Sequence, residues 1–202
     1  MRLVMRPDWI LTKNSIIKKV VGLFAALSEE YRGVLQSPIS PKISKGENYR
    51  GLPYVMLDYP RLFGREDVLA IRTFFWWGHA FSVTLHLKGE YLRRYLPLLR
   101  LRWERLAGAG FCVGVSDDEW RHEHVEDNYR PIVSAEGVTA PAEGVAGSDA
   151  GGLPFLKLSA ACGLDRWEEA QKILGGFFRV LVDVLEEGST GASPAAVAAG
   201  SQ

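Results

Sequence analysis

The sharpest alternation of apolar and polar positions lies between residues 68 and 88. "VLAIRTFFWW" and "AFSVTLHLK" are rich in β-branched and aromatic residues and are parted by Gly78 and His79, which predicts two strands joined by a hairpin or bulged turn. In the first strand Leu69, Ile71, Thr73, Phe75 and Trp77 point one way and Ala70, Arg72, Phe74 and Trp76 the other, so both faces carry aromatics. The second strand divides cleanly. His79, Phe81, Val83, Leu85 and Leu87 form an apolar face, and Ala80, Ser82, Thr84, His86 and Lys88 a polar one.

Helical spacing appears at both ends of the chain. Ile16, Ile17, Val20, Leu23, Phe24, Leu27 and Tyr31 predict a helix over 14–32, with Asn14 as its N-cap. Lys18 and Lys19 in its first turns and Glu29 and Glu30 in its last oppose the macrodipole. Trp167, Ala170, Leu174, Phe177, Phe178, Leu181 and Leu185 predict a second helix over 166–187, entered through a capping box formed by Asp165 and Glu168. Gly175 and Gly176 inside it suggest close packing against a sheet.

Between these lie a loop over 37–53, a short strand "YVMLDYP" stopped by Pro60, a helix from 90 to 110 interrupted or restarted at Pro97, and short strands at "FCVGVS" and "LPFLKLSAACG". Residues 134–152 are almost all small or turn-forming, the composition of a flexible insertion loop, and 189–202 read as a disordered tail. The order of elements predicts one α+β domain over residues 1–188, an antiparallel sheet packed by an N-terminal and a C-terminal helix.

Charge narrows the partners. Lys plus Arg and Asp plus Glu both number 24, so no net field favours nucleic acid or an anionic surface. The longest apolar run, "VVGLFAAL", is too short to span a membrane. Cys112 and Cys162 have neither metal-site nor disulfide-framework spacing, and a cytoplasmic location is the expectation.

Candidate chemistry begins at the polar strand face. If the register allows, Phe74 and Trp76 share it with Ser82, Thr84, His86 and Lys88, bordered by Tyr49 and Arg50 from the loop before. Aromatics beside hydroxyls, an imidazole and an ammonium suit a concave site for a small polar ligand, or a surface for self-association. The competing reading is that Phe74 and Trp76 are covered core.

A second expectation concerns His122 and His124 in "RHEH", which on an extended segment point the same way and with a nearby carboxylate suit a metal or a histidine-assisted reaction. A third is nucleic-acid binding by Arg93, Arg94, Arg100, Arg102 and Arg105 with Tyr91, Tyr95 and Trp103. Against it, the six acids of 117–127 flank the same short strand and offer mutual neutralisation. No phosphate-binding loop, nucleophile elbow or metalloprotease motif is present, which favours binding over catalysis and leaves any cofactor unknown.

"KISKGENYRGLPYVMLDYPR" together with "RTFFWWGHAFSVTLHLKG" resembles an uncharacterised bacterial family over residues 10–130. That family implies no activity, so the resemblance assigns no residue a role.

Overall fold

The computed structural model describes residues 5–132 and 154–186; the expected insertion loop at 134–152 and the tail at 189–202 lie outside them. A long helix α1 (Asp8–Val34) leads into four antiparallel strands, β1 (Lys42–Tyr49), β2 (Leu52–Phe63), β3 (Val68–Trp76) and β4 (Ala80–Lys88). Helices α2 (Gly89–Leu101) and α3 (Trp103–Gly108) follow, then the short strands β5 (Cys112–Gly114) and β6 (Tyr129–Pro131). Strand β7 (Phe155–Gly163) and helix α4 (Ala170–Glu186) complete the fold. The strands form one antiparallel sheet in the order β1-β2-β3-β4-β7-β5-β6, so the chain is α+β as its pattern predicts.

Period-two alternation assigns the two sheet faces. Leu57, Ile71, Phe75, Phe81, Val83, Leu85 and Leu158 pack against α1 and α4 in a single apolar core. Tyr31 of α1 locks the layers: its ring stacks on Phe178 of α4 at 3.7 Å, and its hydroxyl lies 2.9 Å from Thr73 Oγ1 of β3. The opposite face carries Asp58, Arg72, Phe74, Thr84, His86, Lys157 and Ser159, and residues 115–128, between β5 and β6, cross over it.

Several boundaries differ from the expectation. Residues 42–49 are not loop but edge strand, paired with β2 from Lys42↔Asp58 to Tyr49↔Leu52. An edge strand with no buried residue needs no apolar alternation, which is why its sequence reads as turn. Strand β2 runs through Pro60, with the register shift between Asp58 and Arg61 accommodating it. Helix α1 begins at Asp8, so Asn14 is interior; Asp8 in the first turn and Arg32 in the last agree with the macrodipole, while Glu29 and Glu30 near its C-terminal end pair with Arg32 and Arg179.

Pro97 lies inside α2, and the interruption falls at Arg102. At the C-terminal helix, Leu164–Glu169 forms a 3-10 turn entered at Gly163 without a side-chain cap, where the spacing predicts a capping box of Asp165 and Glu168, and Arg166 pairs with Glu169. Gly175 packs against α1, not the sheet: a Cβ there would lie 2.4 Å from Glu30 Oε1.

Candidate functional site

Two turns bring the site together at one end of the sheet. Between β1 and β2 the chain reverses in two residues, Arg50 (φ 52°) and Gly51 (φ 84°), with Asn48 Oδ1 accepting the Gly51 N–H at 3.0 Å. Left-handed backbone at both positions matches strand twist in such hairpins, and it is strained for a residue such as Arg50. Between β3 and β4 the turn passes through Gly78 (φ 73°) and stacks His79 on Trp76, rings 3.5 Å apart.

The register pairs Phe74 with Ser82, Arg72 with Thr84 and Ala70 with His86, so the aromatic and polar sets do share a face. That face is not open. Residues 115–128 lie over it with no helix or strand of their own and are fastened by side chains. Glu123 accepts from the Tyr49 hydroxyl at 2.6 Å and from Arg50 Nε at 2.7 Å. The same tyrosine oxygen receives the His122 main-chain N–H at 2.7 Å. Asn128 Nδ2 donates to the Glu123 carbonyl, and Lys157 Nζ donates to the Arg121 carbonyl.

This crossing places His122 and His124 against the strand residues. His122 Nε2 lies 3.1 Å from Arg72 Nη1, and Arg72 is held in turn by both oxygens of Asp58 at 2.7 and 3.0 Å. His124 Nε2 lies 2.8 Å from Ser159 Oγ, which also bonds Thr84 Oγ1 at 2.7 Å, and its ring stacks on Tyr129. Ser159 is fully buried, so its hydroxyl orients the imidazole and is closed to a substrate in this arrangement.

Where the segment leaves the β3–β4 end, a cavity of about 330 Å³ remains, lined by Phe74, Trp76, His79, Ala80, Ser82 and the stretch 121–125. That is within the range of small-ligand sites. The expected residues divide around it. Phe74, Trp76, Ser82, His122 and His124 line the cavity, while Tyr49 and Arg50 stand behind its wall by holding Glu123. Thr84 and His86 line a much smaller void nearby, and Lys88 pairs with Glu119 at 3.3 Å.

The electrostatics are those of a buried polar layer. Burial, then the positive Lys157, Arg72 and Lys88, lowers the His86 imidazole to about 4. The ring is therefore neutral near pH 7, and its 3.6 Å approach to Glu119 is no ion pair. Burial and Lys157 bring His124 to about 4, and burial with Arg72 holds His122 well below its ordinary value. Burial lowers the Lys157 ammonium to about 8.

Burial works to raise the Glu123 carboxyl, but the Tyr49 hydroxyl, the backbone and Arg50 outweigh it and hold the group below the ordinary value. Tyr49, half buried and bonded to that carboxylate, rises to about 12.

Among the described residues no group of three His, Cys, Asp or Glu is placed to hold a metal ion. The Nε2 atoms of His122 and His124 are occupied by Arg72 and Ser159. The arginine cluster is distributed: Arg93 pairs with Glu90 on its own helix, Arg105 with Asp183 of α4, and Arg94 lies over the Tyr95 ring. Among the described residues no helix is long and apolar enough to cross a membrane.

Sequence reasoning missed Arg72, Lys157 and Ser159 as parts of this site. A signal existed for two of them. In "FLKLSAA" Lys157 and Ser159 are the polar positions two apart in an otherwise apolar strand, hence one face. No family model matches the chain, and no curated protein or solved structure matches it either.

Proposed function

We propose that this protein is a non-catalytic binding domain that takes a small planar ligand in the cavity between the β3–β4 end of the sheet and residues 121–125. The observation that carries the reading is the convergence, around about 330 Å³, of the aromatic pair Phe74 and Trp76 with Ser82 and the imidazoles of His122 and His124. Apolar walls with a few placed polar groups are what small-molecule sites use to combine affinity with orientation. A cytoplasmic setting belongs to this reading and is supported by the two free thiols, Cys112 and Cys162.

The test is native mass spectrometry of the purified protein, followed by titration with small aromatic compounds monitored at the Trp76 indole N–H. Ala80→Phe, which fills the cavity from its rim, should abolish a saturable response while leaving the unfolding midpoint nearly unchanged. A response that persists in Ala80→Phe would place binding elsewhere and sink the proposal.

A second reading, assembly through the outer surface of the same face, is favoured by one observation. Phe63 and Trp120 stand 43% and 49% exposed with their rings 6.4 Å apart. Under this reading Trp120→Ser lowers the subunit number in sedimentation, whereas under the ligand reading it leaves a monomer unchanged.

A further inference from the structure

The ligand pocket, on which this inference rests, contains one histidine whose proton is placed by its neighbour. A guanidinium has donors and no acceptor. Arg72 Nη1 lies 3.1 Å from His122 Nε2, so Nε2 accepts and the single proton of the neutral ring sits on Nδ1. The sense cannot reverse, because Arg72 is anchored by its two bonds to Asp58. When a carboxylate receives the N–H of a catalytic histidine, the other nitrogen is left as a base. Here a cation occupies the accepting nitrogen, and the ring is left with an N–H donor polarised by the positive charge behind it.

The other polar groups of the wall sharpen the consequence. Glu123 has both oxygens committed, to the Tyr49 hydroxyl, the His122 main-chain N–H and Arg50. The Trp76 indole N–H is spent on the Tyr49 carbonyl at 3.2 Å. His124 is set by the Ser159 hydroxyl, which can give or take, so it imposes neither sense. Arg121, with Nη2 on Asp127, adds a second group that can only donate. The hydrogen bonds of His122 described above use its Nε2 and its main-chain N–H, which leaves Nδ1 for a ligand, and the Ser82 hydroxyl also lines the cavity.

We infer that the pocket takes a flat aromatic ligand bearing a carbonyl or carboxylate oxygen, and that His122 selects it by donating Nδ1–H to that oxygen. Phe74 and Trp76 receive the ring. A neutral imidazole that polarises a carbonyl is an established use of this group, and here it serves recognition. A ligand offering only donors meets the His122 N–H head-on and leaves it unsatisfied, with the Arg121 guanidinium as a second donor nearby.

Three nearly isosteric probes separate the possibilities: benzoate accepts only, benzamide accepts and donates, and benzamidine donates only. With histidine-labelled protein near neutral pH, long-range proton–nitrogen spectra should show His122 protonated on Nδ1 and bare on Nε2. Benzoate and benzamide should bind about tenfold more tightly than benzamidine and move the His122 Nδ1 resonance. His122→Asn, whose amide nitrogen occupies the Nδ1 position, should retain the preference, and His122→Leu should lose it.

A proton on Nε2, or benzamidine binding as tightly as benzamide, overturns the inference while the pocket stands. Failure of all three probes to bind the folded protein overturns the pocket reading and this inference with it. The tautomer measurement needs no variant, so a misfolded His122→Leu leaves the proposal open to refutation.

Discussion

Tyr49, the last residue of β1, and Glu123, midway along the segment crossing the polar sheet face, are 74 residues apart and share a 2.6 Å hydrogen bond. Because the same hydroxyl accepts the His122 main-chain N–H, this one side chain fixes both the carboxylate and the backbone of the cavity wall. Tyr49→Phe keeps the ring's edge contacts with Phe74 and Trp76 and removes only the oxygen. The expected loss is about 1–3 kcal/mol, the cost of a buried group left unpaired. Faster amide exchange at His122 and Glu123, with α1 and α4 unaffected, should accompany it; uniform exchange would show the fastening to be elsewhere.

The Asp58–Arg72 pair lies beneath that segment with both side chains largely buried. Removing one partner strands the other charge, so Asp58→Asn or Arg72→Met should each cost about 3–5 kcal/mol. The double variant Asp58→Asn/Arg72→Met should be less destabilised than the sum of the single changes. Urea unfolding of all four proteins checks this, and additive losses would mean the two groups are not coupled.

Acid should weaken the fold before its carboxylates titrate. His86 and His124 have folded values of about 4 against an ordinary 6.5. Between those limits the unfolded chain binds protons that the folded chain refuses, so stability is full above 6.5 and declines as pH falls toward 4. His122 acts in the same direction. Urea midpoints across that window, with proton NMR of the imidazole C2–H signals, provide the measurement. Imidazoles titrating near their ordinary value in the folded protein would contradict it.

Trp76 and His86 occupy the same sheet face but should behave oppositely. Trp76 lines the cavity and donates to the Tyr49 carbonyl, so Trp76→Ala should weaken aromatic probes by about tenfold and cost about 1–2 kcal/mol. His86 lies outside the cavity wall, and its buried Nε2 has no hydrogen-bond partner among the described residues. His86→Leu removes an unsatisfied polar atom at similar volume and should leave binding intact with stability unchanged or raised. Loss of binding in His86→Leu would place the ligand deeper under the segment than the cavity.

The two adjacent glycines of α4 offer a control on packing. Nothing lies within 4 Å of a Cβ built on Gly176, so Gly176→Ala should stabilise by about 0.5–1 kcal/mol through helix propensity. At Gly175 the methyl group would displace Glu30 from its pairing with Arg179, so the same substitution should gain less. Thermal unfolding of both variants compares them directly, and equal gains would show the Glu30 contact to be dispensable.

The strong periodicities determined most of the framework by themselves. The β3–β4 hairpin, the strand faces set by Phe75 and Phe81, the amphipathic α1 and α4 and the α+β class all follow from apolar spacing, because burial of one face is a local requirement of each element. What depends on long-range contact was not legible. The edge strand β1 owes its structure to its partner, the first turn of α1 carries Trp9, Ile10 and Leu11 exposed and so has no buried stripe to mark it, and Gly175 is explained by Glu30 of another helix.

The site divides in the same way. Alternation put Phe74 with Trp76 on one face of β3 and Ser82 with Thr84 and His86 on one face of β4, and the pairing register joined the two sets. Only the tertiary structure laid "RHEH" over that face, turning two expected sites into one and bringing in Arg72, Lys157 and Ser159 as its floor. Side-chain direction along a strand is a property of the backbone repeat and can be read from sequence. Residues 115–128 have no such repeat, and their path is set by hydrogen bonds to residues more than 30 positions away.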